Sequence, residues 1–227
     1  MISTRAMSFA TNLRKILRQF LRDTGLFAVD ALPSPETVGK INAAFASARQ
    51  VPIGEVVSGE TAKIVGQVES SGKTIRAPLS YRECVLYVAI AERYTGTHWK
   101  VIAKEQRSVD FTVEDETGRA LVDRGAFAPF LEADHRSEPV WPTKTKAQKA
   151  FLTHHLVFGE TETPHRYKEG ILELGEQVAV YGSAVREVDS RGASRTGDVY
   201  RVNAATRLRF PNTPRKPVLV TDLKDLT

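Results

Sequence analysis

Few residues in this 227-residue chain could do chemistry, and their spacing argues against most of what they could do. His154 and His155 are adjacent, with His135, His165, Glu160 and Glu162 nearby in sequence. Neighbouring helical residues project about 100° apart, so adjacent imidazoles do not readily share a metal ion, and no H-x-x-x-H or H-E-x-x-H spacing occurs. Cys84 opens the apolar run Cys84–Ala91, where a thiol behaves as a small hydrophobe. Asp115 and Glu116 could form a carboxylate pair for acid–base work, but Asp115-Glu116-Thr117-Gly118 is turn chemistry that faces both towards solvent. Trp99 is expected in the core. Trp141, between Val140 and Pro142, suits an exposed anchor better. There is no P-loop, dinucleotide fingerprint or G-x-S-x-G elbow. The residues therefore name no catalytic group, no cofactor site and no metal ligand.

Composition narrows the classes further. Hydrophobic residues at 41% and charged residues at 26% are ordinary for a globular protein. A single cysteine excludes an internal disulfide framework and any cysteine-rich zinc site, and is compatible with a reducing cytoplasm. No apolar run approaches the ~20 residues a spanning helix needs. Arg14, Lys15, Arg18 and Arg22 interrupt the N-terminal apolar residues, which argues against a signal peptide. The net charge of +5 is unevenly placed: residues 1–50 carry 7 basic and 3 acidic residues, 186–227 carry 9 and 5, and the middle carries 16 and 19. A barrel that grips nucleic acid should be basic across its body, so the acidic middle disfavours that partner.

The elements that must position these residues follow from periodicity. Phe9, Leu13, Ile16, Leu17, Phe20 and Leu21 fall within an arc of roughly 140°, which predicts an amphipathic helix over about 9–22. Its basic face of Arg14, Lys15, Arg18 and Arg22 could pack as a solvated surface, lie on anionic lipid or dock on a partner. Ser34-Pro35 opens a second helix ending near Arg49. From Thr61 the period becomes that of strands. Strands are expected over Ala62–Ser70, with Gly66 at a bend, over Thr74–Ser80 and over Glu83–Tyr94. The last is apolar on both faces in its middle, which predicts an inner strand covered on both sides. His98–Gln106 returns beside it. Ser108–Glu114 and Ala120–Val122 form a hairpin, with Gly118 expected to supply a positive φ at the turn. Residues 125–165 read as a long excursion holding one short helix within Lys146–Phe158. The β pattern resumes in Arg166–Val188, with a turn at Gly175 and a corner at Gly182, then in Asp198–Thr206 and Pro217–Asp222.

Three segments together resemble the GIDE-type domain, the non-RING portion of a family of mitochondrial membrane E3 ubiquitin ligases with bacterial relatives. They are A-P-L-S-x-x-x-C-V-x-Y (Ala77–Tyr87, followed by Trp99), F-T-V-E-D-E-T-G-R-A-L-V-D (Phe111–Asp123) and R-Y-K-E-G-I-L-E-L-G-E-Q-V-A-V-Y-G (Arg166–Gly182). The family-signature residues are Pro78, Leu79, Cys84, Trp99, Asp115, Gly118, Glu169, Gly175 and Gly182, all read as structural. The resemblance implies a barrel akin to the oligonucleotide/oligosaccharide-binding fold. In the family this domain lies between two transmembrane helices, with a C-terminal RING as the transferase. One cysteine cannot hold the two zinc ions of a RING, so what carries over is the interaction domain.

The expected fold is mainly β (α+β overall). It is a small OB-like β-barrel at 51–222 with the excursion at 125–165, preceded by an amphipathic basic helix (1–30) and a second short helix with connector (31–50), and followed by a tail (223–227). The favoured function is a non-catalytic protein-interaction or scaffold module, cytoplasmic or peripheral to a membrane. Its expected contact residues are Arg14, Lys15, Arg18, Arg22 and Trp141, with a protein as partner and an anionic membrane surface as a second contact through residues 9–22. The alternatives are an OB-like nucleic-acid binder using the C-terminal arginines, and a small-molecule enzyme with a site in the excursion.

Overall fold

The computed structural model describes Phe45 and residues 48–124, 127–139, 145–158, 163–189, 206–211 and 218–222. The two expected N-terminal helices, with Arg14, Lys15, Arg18 and Arg22, lie outside these residues except for Phe45, Ala48 and Arg49. Trp141 also lies outside them.

Among the described residues, the two larger sheets and one α-helix make three layers. The large sheet orders its strands β12-β13-β7-β6-β1-β11-β14-β8. These strands are β1 (Thr61–Ser70), β6 (Phe111–Asp115), β7 (Gly118–Val122), β8 (Phe127–Phe130), β11 (Gln177–Ser183), β12 (Val185–Val188), β13 (Thr206–Phe210) and β14 (Val218–Thr221). The smaller sheet is β5-β4-β10-β9, built from β4 (Leu86–Tyr94), β5 (Trp99–Ser108), β9 (His135–Arg136) and β10 (His165–Leu172). A short pair, β2 (Ile75–Arg76) and β3 (Glu83–Cys84), stands apart, and the helix α1 spans Lys146–His154.

β4 explains the layering. Leu86, Val88 and Ile90 enter one core with Ile64, Phe111, Val113, Val180 and Phe210 of the large sheet. The alternate residues Tyr87, Ala89 and Ala91 enter a second core with Leu79, Phe151, Leu152, Tyr167 and Ile171. The both-faces-apolar run is thus an inner strand with a core on each side, as its sequence predicts. The small residues Ala89, Ala91 and Ala103 leave room for Phe151 and Leu152 of α1. A capping box starts that helix. Gln148 N–H donates to Thr145 Oγ1 (3.2 Å) and Thr145 N–H donates to Gln148 Oε1 (3.0 Å).

Three expectations need correction. The OB-like barrel is not closed: among the described residues β12 and β8 end the large sheet and do not pair with each other. Alternation reports one buried face, and a barrel and a pair of facing sheets bury that face equally well. The excursion is not separate from the sheets either, because β8 pairs with β14 in parallel and β9 pairs with β10. Gly118 does not take a positive φ, since the positive-φ glycines are Gly59, Gly72, Gly96 and Gly175. A glycine suits position 118 for lack of room instead, as a Cβ there would stand 3.3 Å from Ile53 Cγ2. The Asp198–Thr206 strand falls almost wholly outside the described residues, and β13 begins where it was expected to end.

β14 closes the chain's path beside β8. Thr221 Oγ1 donates to Phe130 O (2.8 Å) and Glu132 N–H donates to Asp222 Oδ1 (2.8 Å). Burial pushes the Asp222 carboxyl up to about 7, and the nearby Asp134 and Glu176 charges add to this. The folded state therefore holds the Asp222 proton more tightly than an unfolded chain, where the ordinary value is 3.8. Stability should fall as pH rises from about 4 to about 7 and level off above that. Asp222→Asn keeps the acceptor oxygen and removes the titration. Thermal melts from pH 4 to 8 should show the variant's advantage growing across that interval; an equal slope for both proteins would contradict it.

Candidate docking face

Register places Glu105 of β5, Ala89 of β4 and Glu169 of β10 in one row on the outer face of the four-stranded sheet. Glu169 lies at the centre of the site. It is fully buried, and its two oxygens accept from Leu79 N–H (2.8 Å) and Ser80 N–H (2.9 Å). The 77–82 loop is closed further by Ala77 N–H to Arg82 O (3.0 Å) and Tyr81 N–H to Ala77 O (3.1 Å). Arg82 anchors its far end on Glu173 through Nε (2.9 Å) and Nη2. So clamped, the loop holds Tyr81 at φ +60° with 58% of its surface exposed.

At the other end of the row, Tyr87 Oη donates to Glu105 Oε1 (2.6 Å). Burial raises the phenol's pKa, and the Glu105 acceptor raises it further. His155 and His154, at the C-terminal end of α1, approach the same carboxylate at 3.4 and 4.0 Å. The helix then ends in a Schellman motif. Leu156 N–H donates to Thr153 O (3.0 Å) and Val157 N–H donates to Leu152 O (2.9 Å). The left-handed position that usually takes glycine is filled by Leu156, at φ +57° and 75% exposed, with Phe158 exposed just after it.

The sequence-derived residues distribute as follows. Pro78, Leu79, Cys84 and Glu169 meet around the clamped loop. Cys84 is buried, with its thiol 3.7 Å from Ile75 O. Burial, and then the Glu169 and Glu173 charges, push its pKa up to about 12, so it stays a neutral thiol at pH 7. Asp115 and Gly118 belong to a different structure. Asp115 Oδ2 accepts from Ile53 N–H (2.8 Å), and Oδ1 accepts from Thr117 N–H (2.7 Å), Thr117 Oγ1 (2.6 Å) and Gly118 N–H (2.9 Å). Burial opposes its ionisation, but these donors outweigh it and hold the carboxyl below its ordinary value. The turn is thereby riveted to the 52–55 segment rather than merely facing solvent. Gly175 lies in the β10–β11 turn, and Gly182 packs beside Val218. Trp99 is half-buried rather than a core residue, because it lies at the end of β5 with the Arg166 guanidinium 4.4 Å above its ring.

Charge pairing also reassigns the C-terminal arginines. Arg186 donates to the carbonyls of Ile53, Gly54 and Val56, Arg207 binds Glu187, and Arg209 binds Asp123 and Glu187. Arg191, Arg195 and Arg201 lie outside the described residues. Sequence reasoning missed Tyr81, Glu105 and Leu156. A leucine directly after two histidines at a helix end was the one available sign for Leu156.

Among the described residues no three histidine, cysteine, aspartate or glutamate side chains are set to hold a metal, and no helix is long and apolar enough to cross a membrane. No curated protein and no solved structure matches the chain. A family model described as GIDE, E3 ubiquitin ligase, matches residues 89–192, from the middle of β4 to just past β12. Two of the three resembling segments lie inside that match, which supports a GIDE-type domain over those residues.

Proposed function

We propose that the chain is a non-catalytic protein-interaction module related to E3 ubiquitin ligases, and that it meets its partner through the outer layer over the four-stranded sheet. One observation carries this reading. Among the described residues, the two non-glycine positions with positive φ are Tyr81 and Leu156. Both lie in that layer, and both expose a large apolar surface. Left-handed backbone costs a non-glycine residue about 1–2 kcal/mol, and solvent-facing side chains do little to offset it locally. Such strain persists where the displayed side chain serves contact with something else. The commitment of Arg186, Arg207 and Arg209 to neighbouring carboxylates and carbonyls supports a protein partner over nucleic acid.

Leu156→Gly should stabilise the fold by about 1 kcal/mol, raising the melting temperature by roughly 2–4 °C. The same change, combined with Tyr81→Gly, should reduce partner recovery at least tenfold in quantitative pull-downs from the native cell. A double variant that recovers the same partner at the wild-type level overturns the reading, as does a loss of stability in Leu156→Gly.

A further inference from the structure

Among the described residues, the edge strands of the two larger sheets are unequal. β12 and β8 are 4 residues long and β9 is 2, whereas β5 runs for 10 and pairs with β4 alone. Short edge strands limit unwanted pairing, and a long one is a template for another strand. The β4–β5 register shifts between Ala91 and Glu92, which leaves Ala103–Ser108 in an unbroken ladder opposite Leu86–Ala91. One step past that ladder, Val109 N–H donates to Val85 O (2.9 Å). Hydrogen-bonded and non-hydrogen-bonded pairs alternate along an antiparallel ladder, so Arg107, Glu105 and Ala103 turn their main-chain groups towards β4. Lys104, Gln106 and Ser108 turn theirs to the open edge.

The side chains on this edge select its partner. Glu105 and Arg107 share the outer face with Ala89 and Tyr87, whereas Lys104, Gln106 and Ser108 share the inner face with Ile90, Val88 and Leu86. We propose that β5 is a homodimer seam, along which a second copy adds antiparallel about a two-fold axis at Gln106. The two four-stranded sheets then become one continuous sheet. Opposite residues of an antiparallel pair lie on the same face, and this register satisfies that throughout. Gln106 meets the partner's Gln106, Lys104 meets the partner's Ser108, and Glu105 meets the partner's Arg107. Arg107 Nη1 already lies 4.0 Å from Glu105 Oε1 of its own strand, so the seam sets four charges of alternating sign in one block. Tyr87 and His155 hold Glu105 in place, and a carboxylate keeps further acceptor sites for the partner's guanidinium. Neighbouring registers lack this match. An axis at Lys104, Glu105 or Arg107 sets like charges opposite each other, and one at Ser108 runs off the end of β5. Main-chain bonds from Lys104, Gln106 and Ser108 supply the affinity, and the Glu105–Arg107 pairs fix the register. The proposal does not rest on Tyr81 or Leu156.

The test uses the full chain alone. Sedimentation equilibrium should give a mass that rises from one chain towards two as concentration increases. Over the same range, amide hydrogen exchange should slow at Lys104, Gln106 and Ser108. It should stay unchanged at Glu105 and Arg107, whose N–H groups already face β4. Gln106→Pro removes the outward N–H at the centre of the seam, a change that edge strands tolerate. Arg107→Glu sets carboxylates opposite each other and leaves the backbone alone. Each variant should weaken self-association at least tenfold, and Arg107→Glu keeps the test decisive if proline disturbs β5. A mass of one chain at every concentration, dimerisation that Arg107→Glu does not weaken, or exchange that slows at another edge instead would each overturn the proposal.

Discussion

Glu169→Ala should unfold the protein at markedly lower urea than the wild type, with a loss of about 3–5 kcal/mol. The carboxylate is fully buried and serves the N–H groups of Leu79 and Ser80. Removing it leaves the buried Leu79 donor and the half-buried Ser80 donor without their acceptor, at about 1–3 kcal/mol each, and opens a cavity beside Ile171 and Tyr167. Glu169→Gln should fall between, because one oxygen remains to accept while the amide NH₂ meets the second donor. Hydrogen exchange gives the local readout: the Leu79 and Ser80 amides should lose protection in both variants, more in alanine. An alanine variant as stable as the wild type would show that the clamp contributes nothing. Tyr81 would then owe its exposed position to something other than the buried carboxylate.

Gly66→Ala should be comparably damaging for a steric reason. A Cβ at Gly66 would stand 2.3 Å from Glu114 O and 2.8 Å from Glu114 C, closer than such atoms approach in real proteins. The obstacle is backbone, so no rotamer change relieves it. Nor can β1 retreat, since it is paired with β11 on one side and β6 on the other. A loss of about 3 kcal/mol or more is expected, at the upper end of overpacking effects. Denaturant titration measures it. A change under 1 kcal/mol would mean that β6 shifts freely, at odds with the Asp115 contacts that tie its end to Ile53 and Gly118.

Much of the secondary structure was legible from pattern. The period-two stretch at Phe111–Val122 is the β6–β7 hairpin, and the doubly apolar run at Leu86–Ala91 is an inner strand between two cores. Thr145 and Gln148 place the start of α1 where the sequence expected a helix. These are local properties: alternation, capping and turn chemistry act over a few residues and are written in consecutive positions. The three segments that resemble the GIDE-type domain are legible for the same reason, and the family model matches the region containing two of them.

Only the tertiary structure decided which distant groups meet. Glu169 is a signature residue with no evident partner until Leu79 and Ser80, about 90 residues away in sequence, donate to it. Arg186, Arg207 and Arg209 read as free charge until Glu187, Asp123 and the 53–56 carbonyls are placed beside them. The adjacent histidines both lean towards Glu105, because the helix end lies over a strand about 50 residues upstream. The expectation of a barrel failed for the same cause. A sequence states which face of a strand is apolar, but the partner of that face is chosen by packing among elements far apart in the chain.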